Sequence, residues 1–191
     1  MLANLFLHYA LDAWLAREFP RIRFERYADD MVVHCVTRKQ ALFIRAAIGQ
    51  RLAETGLHLH PDKTTIVYCR DYRRRGPYQP ASFDFLGYTF RPHQALSQTG
   101  APFTVFTPAI SAAALKRISR EVRAWRLHRS TGHTLGDLAE AINPIVRGWM
   151  QYYGAFRRSR LYPLLRRINT YLMRWARGKY KRLRGTRTFS R

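Results

Sequence analysis

Acidic residues are scarce in this sequence. Its 191 residues include 12 Asp and Glu against 34 Lys and Arg, which gives a formal net charge of +22 at neutral pH. A field of that sign attracts polyanions, and nucleic acid is the commonest of them. The composition therefore favours a nucleic-acid partner over a small-molecule substrate. The alternative interpretation is a ribosome-like or merely solubilising basic surface.

Cysteines and long apolar runs are also scarce, although hydrophobic residues make up 47% of the chain and suffice for a folded core. Cys35 and Cys69 give neither a metal-binding spacing nor a disulfide framework, which is typical of a reducing compartment. No apolar run reaches the roughly 20 residues of a transmembrane helix, and the N-terminus does not resemble a signal peptide. We expect a cytoplasmic protein of bacterial type, associated with RNA or the nucleoid, with no membrane partner.

The positive charge is concentrated in the second half. Residues 1–91 carry a net charge of +5 and residues 92–191 carry +17. Loop-forming residues in "RPHQALSQTGAP" (91–102) lie at the division. We predict a sheet-containing domain over 1–91, a linker over 92–102, a helical domain over 103–185 and a basic tail over 186–191.

The first part has the pattern of an α+β domain. An opening amphipathic helix places Leu2, Leu5, Phe6, Tyr9 and Ala13 on one face. Strands at 22–27 and 31–36 form a predicted hairpin, and a helix follows from the cap Thr37 to Gly56. A strand is predicted at 66–68, and "FDFLGYTF" (83–90) predicts a strand pair that bends at Gly87.

The second part is predicted to be an all-α bundle. Helices are expected at 111–128 and 134–153, the latter bent or broken near Pro144. Thr134 and Asp137 resemble a capping box. The last helix has the clearest period, and its apolar face consists of Leu161, Leu164, Leu165, Ile168, Leu172 and Trp175.

Two of the few carboxylates, Asp29 and Asp30, are adjacent at the predicted hairpin turn. Neighbouring carboxylates repel unless a cation neutralises them, and Mg²⁺ favours carboxylates together with substrate phosphates. Two such ions can activate an attacking hydroxyl and stabilise a leaving phosphate oxygen. The alternative is that Asp-Asp simply makes a good turn.

Five motifs in order resemble group II intron-encoded reverse transcriptase/maturases. They are "LANLFLHYALD" (2–12), "YADD" (27–30), "GLHLHPDKTTIVYCRD" (56–71), "FDFLGYTF" (83–90) and "INPIVRGWMQYYG" (142–154). The resemblance covers nearly the whole chain. It implies the C-terminal half of a right-hand polymerase palm, an antiparallel sheet with helices, followed by an all-α maturase thumb.

The resemblance also implies roles for particular residues. Asp29 and Asp30 would bind Mg²⁺ in a two-metal site, and Lys63 would neutralise or protonate the pyrophosphate leaving group. Phe85, Leu86, Gly87 and Tyr88 would grip the primer end. The alternative for Lys63 is that it is only a solvated turn residue. The alternative for Phe85 and Leu86 is that they are only core residues.

Basic side chains would bind the nucleic acid. Aromatic residues interleaved with arginine can stack on bases while guanidinium groups bind phosphates, although Trp149 and Trp175 have the spacing of core residues. The implied partners are group II intron RNA, an RNA template with its DNA primer, and deoxynucleotide triphosphates. The candidate binding residues are Arg73, Arg74, Arg75, Arg147, Arg157, Arg158, Arg160, Arg166, Arg167, Arg174, Arg177 and Lys179.

Catalysis by this chain alone is not expected. The family's polymerase uses a further aspartate on an earlier palm strand, which this sequence does not contain, and two metal ions held by Asp29 and Asp30 alone would be poorly fixed. Three hypotheses follow. They are an RNA-directed DNA polymerase completed by an upstream fragment or a second copy, a non-catalytic module that binds intron RNA to assist splicing, and a truncated remnant.

Overall fold

The computed structural model describes residues 2–74 and 76–183, and the chain divides into two compact units, residues 1–68 and residues 69–191. Arg75 and the predicted basic tail at 186–191 lie outside the described residues. The α+β class is confirmed, since each unit contains a small antiparallel sheet together with helices. None of the described helices is long and apolar enough to cross a bilayer.

The first unit opens with a helical segment whose predicted inner face is exposed. Helix α1 (Leu2–Leu7) passes through a π-helical turn (His8–Asp12) into helix α2 (Ala13–Glu18). Leu2, Phe6 and Tyr9 are 83%, 47% and 68% exposed, whereas Leu11 and Leu15 are buried. Helix α1 has no buried residue on any face, and burial of this segment begins at Ala10 and Leu11. The 3.6-residue period groups apolar residues on one face, but it does not show which part of the helix the core covers.

Strands β1 (Arg23–Tyr27) and β2 (Asp30–His34) form the predicted hairpin. Helix α3 (Arg38–Glu54) follows, and its amides are capped as predicted, because the Thr37 side chain accepts a hydrogen bond from the Gln40 amide. The core of this unit lies between the helices and the hairpin. Its buried members are Leu11, Leu15, Ile44, Ile48 and Leu52.

The strand predicted at 66–68 is absent, because the residues after α3 up to 68 form a turn and irregular structure. A strand exists only as part of a ladder, and the hairpin sheet of this unit consists of β1 and β2 within the described residues. The β-branched residues Ile66 and Val67 therefore remain irregular and half-buried.

The second unit begins with a three-stranded sheet that replaces the predicted linker. Strand β3 (Phe83–Phe85) pairs with β4 (Tyr88–Leu96), which pairs with β5 (Pro102–Ile110). Residues 92–102 are thus the end of β4 and the turn before β5, and the region predicted as all-α begins with a strand. The loop-forming residues of "RPHQALSQTGAP" predicted a linker, whereas Pro92 and Pro102 lie in the two strands and only residues 97–101 form the connecting turn.

Three long helices complete the second unit: α4 (Ala112–Ala124), α5 (Leu135–Arg157) and α6 (Tyr162–Lys179). The capping box of Thr134 and Asp137 is confirmed. Pro144 does not break α5, which continues on both sides of it with buried residues in each half. Ile142 and Tyr153, which lie on either side of Pro144, are buried in the same core.

The predicted apolar face of α6 is confirmed. Leu164, Ile168 and Trp175 are buried, Leu161 just before the helix is fully buried, and Leu165 and Leu172 pack against the same core. Residues from the sheet and from α4 and α5 complete this cluster, including Tyr88, Ile118 and Tyr153. The helical part and the sheet of residues 69–183 therefore share one core.

Candidate functional site

The acidic pair lies at the tip of the first hairpin. Tyr27 pairs with Asp30, so Ala28 and Asp29 form a two-residue loop between β1 and β2. Both aspartates are exposed, and Tyr27 is 65% exposed. The hairpin thus presents two neighbouring carboxylates to solvent, where a hydrated cation can reach them.

The backbone of this loop is held in an uncommon conformation. Ala28 has a φ of 55°, in the left-handed region that glycine adopts more readily than alanine. The Arg26 guanidinium donates a hydrogen bond from Nη1 to the Ala28 carbonyl oxygen at 2.7 Å. The loop that carries Asp29 is therefore fixed by a side chain of the strand that precedes it.

Arg26 is in turn fixed by Asp12 of the opening helical segment. Its Nε donates to Oδ1 at 2.7 Å and its Nη2 donates to Oδ2 at 2.6 Å, the bidentate geometry in which arginine binds carboxylates most strongly. The two side chains are 10% and 18% exposed. The hydrogen bonds to Asp12 raise the pKa of Arg26, and a longer bond runs from Nη1 to Asn4 Oδ1 at 3.3 Å.

Sequence reasoning missed Arg26 and Asp12, which lie 14 residues apart. One indication was present in the pattern. Arg26 occupies an inward position of an alternating strand, between exposed Glu25 and Tyr27. A charged residue at such a position needs a partner of opposite sign.

Within the described residues, Lys63 forms no ion pair with the two aspartates, and no third metal-binding side chain joins them. Lys63 is exposed in the turn after α3, and within the described residues it makes no ion pair with Asp29 or Asp30. Over residues 2–74 and 76–183, no group of three or more His, Cys, Asp and Glu side chains could hold a metal ion. Asp29 and Asp30 are the two carboxylates of the hairpin tip in the part of the chain that the structure describes.

The residues predicted to grip the primer end lie in the second unit, at the tight turn between β3 and β4. Phe85 pairs with Tyr88, and the loop residues Leu86 and Gly87 have φ of 50° and 78°. Two consecutive positive φ angles are typical of the two-residue hairpin turns that match the twist of the strands. Tyr88 is buried and the other three residues are half-buried, so this turn lies at the edge of the hydrophobic core.

The predicted nucleic-acid-binding side chains divide into two groups. Arg157, Arg177 and Lys179 are partly covered, and Lys179 donates a hydrogen bond from Nζ to the His133 carbonyl oxygen at 2.6 Å. The remaining helical arginines are exposed and form no ion pair within the described residues: Arg147, Arg158, Arg160, Arg166, Arg167 and Arg174. These six residues are called the arginine surface below.

Arg73 and Arg74 lie in a separate loop. Both are exposed, and their backbone amides donate to the Asp71 carboxylate. The Arg73 guanidinium lies 5.1 Å from the centre of the Tyr72 ring. This loop also presents guanidinium groups to solvent.

Trp149 and Trp175, two of the three tryptophans in the predicted thumb, pack against other residues of this unit. Trp175 is 2% exposed and donates from Nε1 to the Ser130 carbonyl oxygen at 2.9 Å, which confirms it as a core residue. Trp149 is partly buried and stacks on Trp125 with ring centres 5.4 Å apart. These two rings are therefore not free to stack on bases, whereas Tyr152, Phe156 and Tyr162 of the same helices are exposed.

The first unit presents two exposed carboxylates at a hairpin tip, and the second unit presents exposed arginines on its helices. Residues 1–90 match the family described as reverse transcriptase (RNA-dependent DNA polymerase), and residues 115–191 match the group II intron, maturase-specific domain. A comparison with curated proteins found no match. The chain belongs to the group II intron-encoded reverse transcriptase/maturases and carries the motifs of their C-terminal part. The palm and maturase assignment from the sequence is thereby confirmed.

Proposed function

We propose that this chain acts first as an intron RNA-binding maturase module, and that the arginine surface is its binding site. The observation that carries the proposal is the exposure of six arginines that have no carboxylate partner among the described residues. A solvated surface normally mixes charges of both signs, and guanidinium groups bind phosphate oxygens two at a time. The match of residues 115–191 to a maturase-specific domain supports group II intron RNA as the ligand.

The second proposed activity is RNA-directed DNA synthesis at the tip of the first hairpin. Asp29 and Asp30 would hold Mg²⁺, which would activate the primer hydroxyl and stabilise the leaving pyrophosphate. Lys63 would neutralise or protonate that leaving group, and Phe85, Leu86, Gly87 and Tyr88 would hold the primer terminus. The match of residues 1–90 to reverse transcriptases supports template, primer and deoxynucleotide triphosphates as ligands.

Polymerisation would require one more carboxylate than the hairpin tip supplies. An upstream polymerase fragment or a second copy of the chain would have to contribute it. RNA binding needs no such completion. We therefore expect RNA binding by this chain alone and no DNA synthesis, in a cytoplasmic setting beside the intron transcript.

RNA binding is tested by its salt dependence. Each phosphate neutralised should contribute a slope of about −0.7 to −0.9 in log K against log salt concentration. Fluorescence anisotropy with a labelled structured intron RNA gives this slope for the wild type and for the triple variant Arg166→Gln, Arg167→Gln, Arg174→Gln. The triple variant should lose about 2 to 3 units of slope if each of the three arginines contacts one phosphate.

The matched control is Arg17→Gln. Arg17 is 71% exposed like the arginines above, but its Nε donates to the Glu18 carboxylate at 2.8 Å. This variant should bind with the wild-type slope. A triple variant that retains the wild-type slope would contradict the assignment of these arginines, and a shallow slope in the wild type would favour a protein partner for the basic surface.

A further inference from the structure

The tight turn at Leu86 and Gly87 is held by side chains of helix α5, and this contact was not expected from the sequence. A leucine with φ of 50° is uncommon, because a side chain crowds the backbone in the left-handed region. The strand pair alone has only three residues on the β3 side. Other interactions must therefore stabilise this conformation.

Both carbonyl groups of the turn accept hydrogen bonds from elsewhere in the unit. Tyr152 donates from its hydroxyl to the Leu86 carbonyl oxygen at 2.9 Å, and the Ser111 amide donates to the Gly87 carbonyl oxygen at 2.9 Å. Tyr88 returns the contact, because its hydroxyl donates to the Tyr152 carbonyl oxygen. The turn and helix α5 thus exchange hydrogen bonds in both directions.

Tyr153 closes the other side of the turn. It is buried, and a Cβ atom added at Gly87 would lie 3.1 Å from its hydroxyl oxygen and 3.3 Å from its ring. The hydroxyl accepts a hydrogen bond from Arg117 Nη2 of α4 at 2.9 Å, which fixes the ring against the glycine. The centre of the Tyr88 ring lies 5.2 Å from the centre of the Tyr152 ring and 5.6 Å from that of the Tyr153 ring.

We infer that Tyr152 and Tyr153 are positioning residues, which set the conformation of the Leu86–Gly87 turn from helix α5. The inference rests on the proposed role of residues 85–88 in holding the primer end. Helix α5 also carries Arg147, and Arg158 follows it directly. The element proposed to meet RNA phosphates and the element that would meet the primer terminus are therefore joined by two adjacent tyrosines.

Amide hydrogen exchange on the full chain tests the positioning role. Tyr152→Phe keeps the ring and removes only the hydroxyl that donates to Leu86. Loss of one net hydrogen bond should raise exchange in the peptide that spans residues 85–90 by about 3- to 10-fold. Tyr153→Phe should raise exchange in the same peptide, since its ring loses the bond from Arg117.

Tyr162→Phe is the matched control. Tyr162 is 47% exposed, as Tyr152 is, and it lies at the start of α6 without a hydrogen bond to this turn in the described structure. Removing the Tyr162 hydroxyl should leave amide exchange at residues 85–90 unchanged. Unchanged exchange in both Tyr152→Phe and Tyr153→Phe would overturn the inference.

A second measurement separates the inference from the proposed primer contact. An RNA template annealed to a DNA primer with a photoreactive 3′-terminal thiothymidine should cross-link to the peptide spanning residues 85–88. Tyr152→Phe should lower that cross-link about 3-fold or more while overall duplex affinity stays within about 2-fold, a split that general unfolding would not give. Absence of the cross-link in the wild type would contradict the primer role, whereas the exchange result would decide the positioning role by itself.

Discussion

Arg26 and Asp12 form a bidentate ion pair that connects the opening helical segment to the loop of the acidic hairpin. Two hydrogen bonds of 2.7 and 2.6 Å join the side chains, and Arg26 Nη1 reaches the Ala28 carbonyl oxygen at 2.7 Å. A carboxylate outside the YADD motif thus stabilises the loop that carries Asp29. The pair is mostly shielded from water, which makes it costly to break from one side.

Arg26→Ala should destabilise the first unit by about 2 kcal/mol or more, because it leaves Asp12 without its partner in a mostly buried position. Asp12→Ala should have a similar effect. In a double-mutant cycle, the double variant should lose less stability than the sum of the two, with a coupling of about 1–3 kcal/mol. Urea unfolding gives all four free energies.

The control for this cycle is Arg17→Ala. The ion pair of Arg17 with Glu18 is 71% and 47% exposed, so its removal should cost about 0–1 kcal/mol. Equal losses in Arg17→Ala and Arg26→Ala would show that the bidentate pair has no special role in the hairpin.

Ala28→Gly should stabilise the hairpin, in contrast to most alanine-to-glycine changes. Glycine relieves the cost of a positive φ, so the free energy of unfolding should rise by up to about 1 kcal/mol. Ala53→Gly, at an exposed position of helix α3, should instead lower it by about 0.5–1 kcal/mol. If both variants changed the free energy of unfolding in the same direction, the left-handed conformation of Ala28 would be contradicted.

Gly87→Ala and Gly100→Ala separate backbone strain from the contact with Tyr153. The two glycines have nearly the same φ, 78° and 79°, but only a Cβ at Gly87 meets a neighbour within 4 Å. Gly100→Ala should therefore cost about 1–2 kcal/mol from strain, and Gly87→Ala should cost more. Thermal or urea unfolding measures the difference, and equal costs would mean that Tyr153 does not restrict the turn.

His93 should make the stability of the second unit depend on pH. Burial lowers the pKa of His93, and the positive charge of Arg157, with smaller effects of Arg91 and Arg160, lowers it further, against a weak hydrogen bond with the Arg91 carbonyl. Its Nε2 also lies 3.1 Å from Thr107 Oγ1. The unfolded imidazole, with its ordinary pKa of about 6.5, takes up a proton at a higher pH than the folded one.

Stability should therefore fall as the pH drops below about 6.5, because the unfolded state then binds more protons than the native state. Urea midpoints at pH 7.5 and 5.5 measure this loss. His93→Gln removes the titrating group and should show a smaller loss over the same interval. A midpoint difference as large in the variant as in the wild type would assign the effect to other groups.

The sequence predicts those parts of the fold that follow a regular period. Leu164, Ile168 and Trp175 of α6 lie four, then seven residues apart on one helix face and are buried as expected. The face of α1 with Leu2 and Phe6 is predicted incorrectly, because the core covers this segment only from Ala10 onward and leaves α1 exposed on every side. Strand β5 was missed because it contains two prolines and its burial does not alternate along the strand.

The candidate site shows the same limit. Asp29 and Asp30 were predicted at a hairpin turn from the two strand-like runs that flank them, which is a local pattern; in the structure Asp29 lies in the loop and Asp30 is the first residue of β2. Their support by Asp12 and Arg26, and that of Gly87 by Tyr153, joins residues that are distant in sequence. Such contacts depend on packing, which no local pattern encodes.

The central proposal is that this chain binds RNA as it stands and does not polymerise DNA by itself. Mg²⁺-dependent primer extension on an RNA template tests it most directly, with the wild-type chain, the double variant Asp29→Ala, Asp30→Ala, and an active reverse transcriptase as positive control. We predict no extension by the wild type under conditions in which it binds the template. Extension by the wild type that is lost in the double variant would contradict the claim and establish Asp29 and Asp30 as a sufficient metal site.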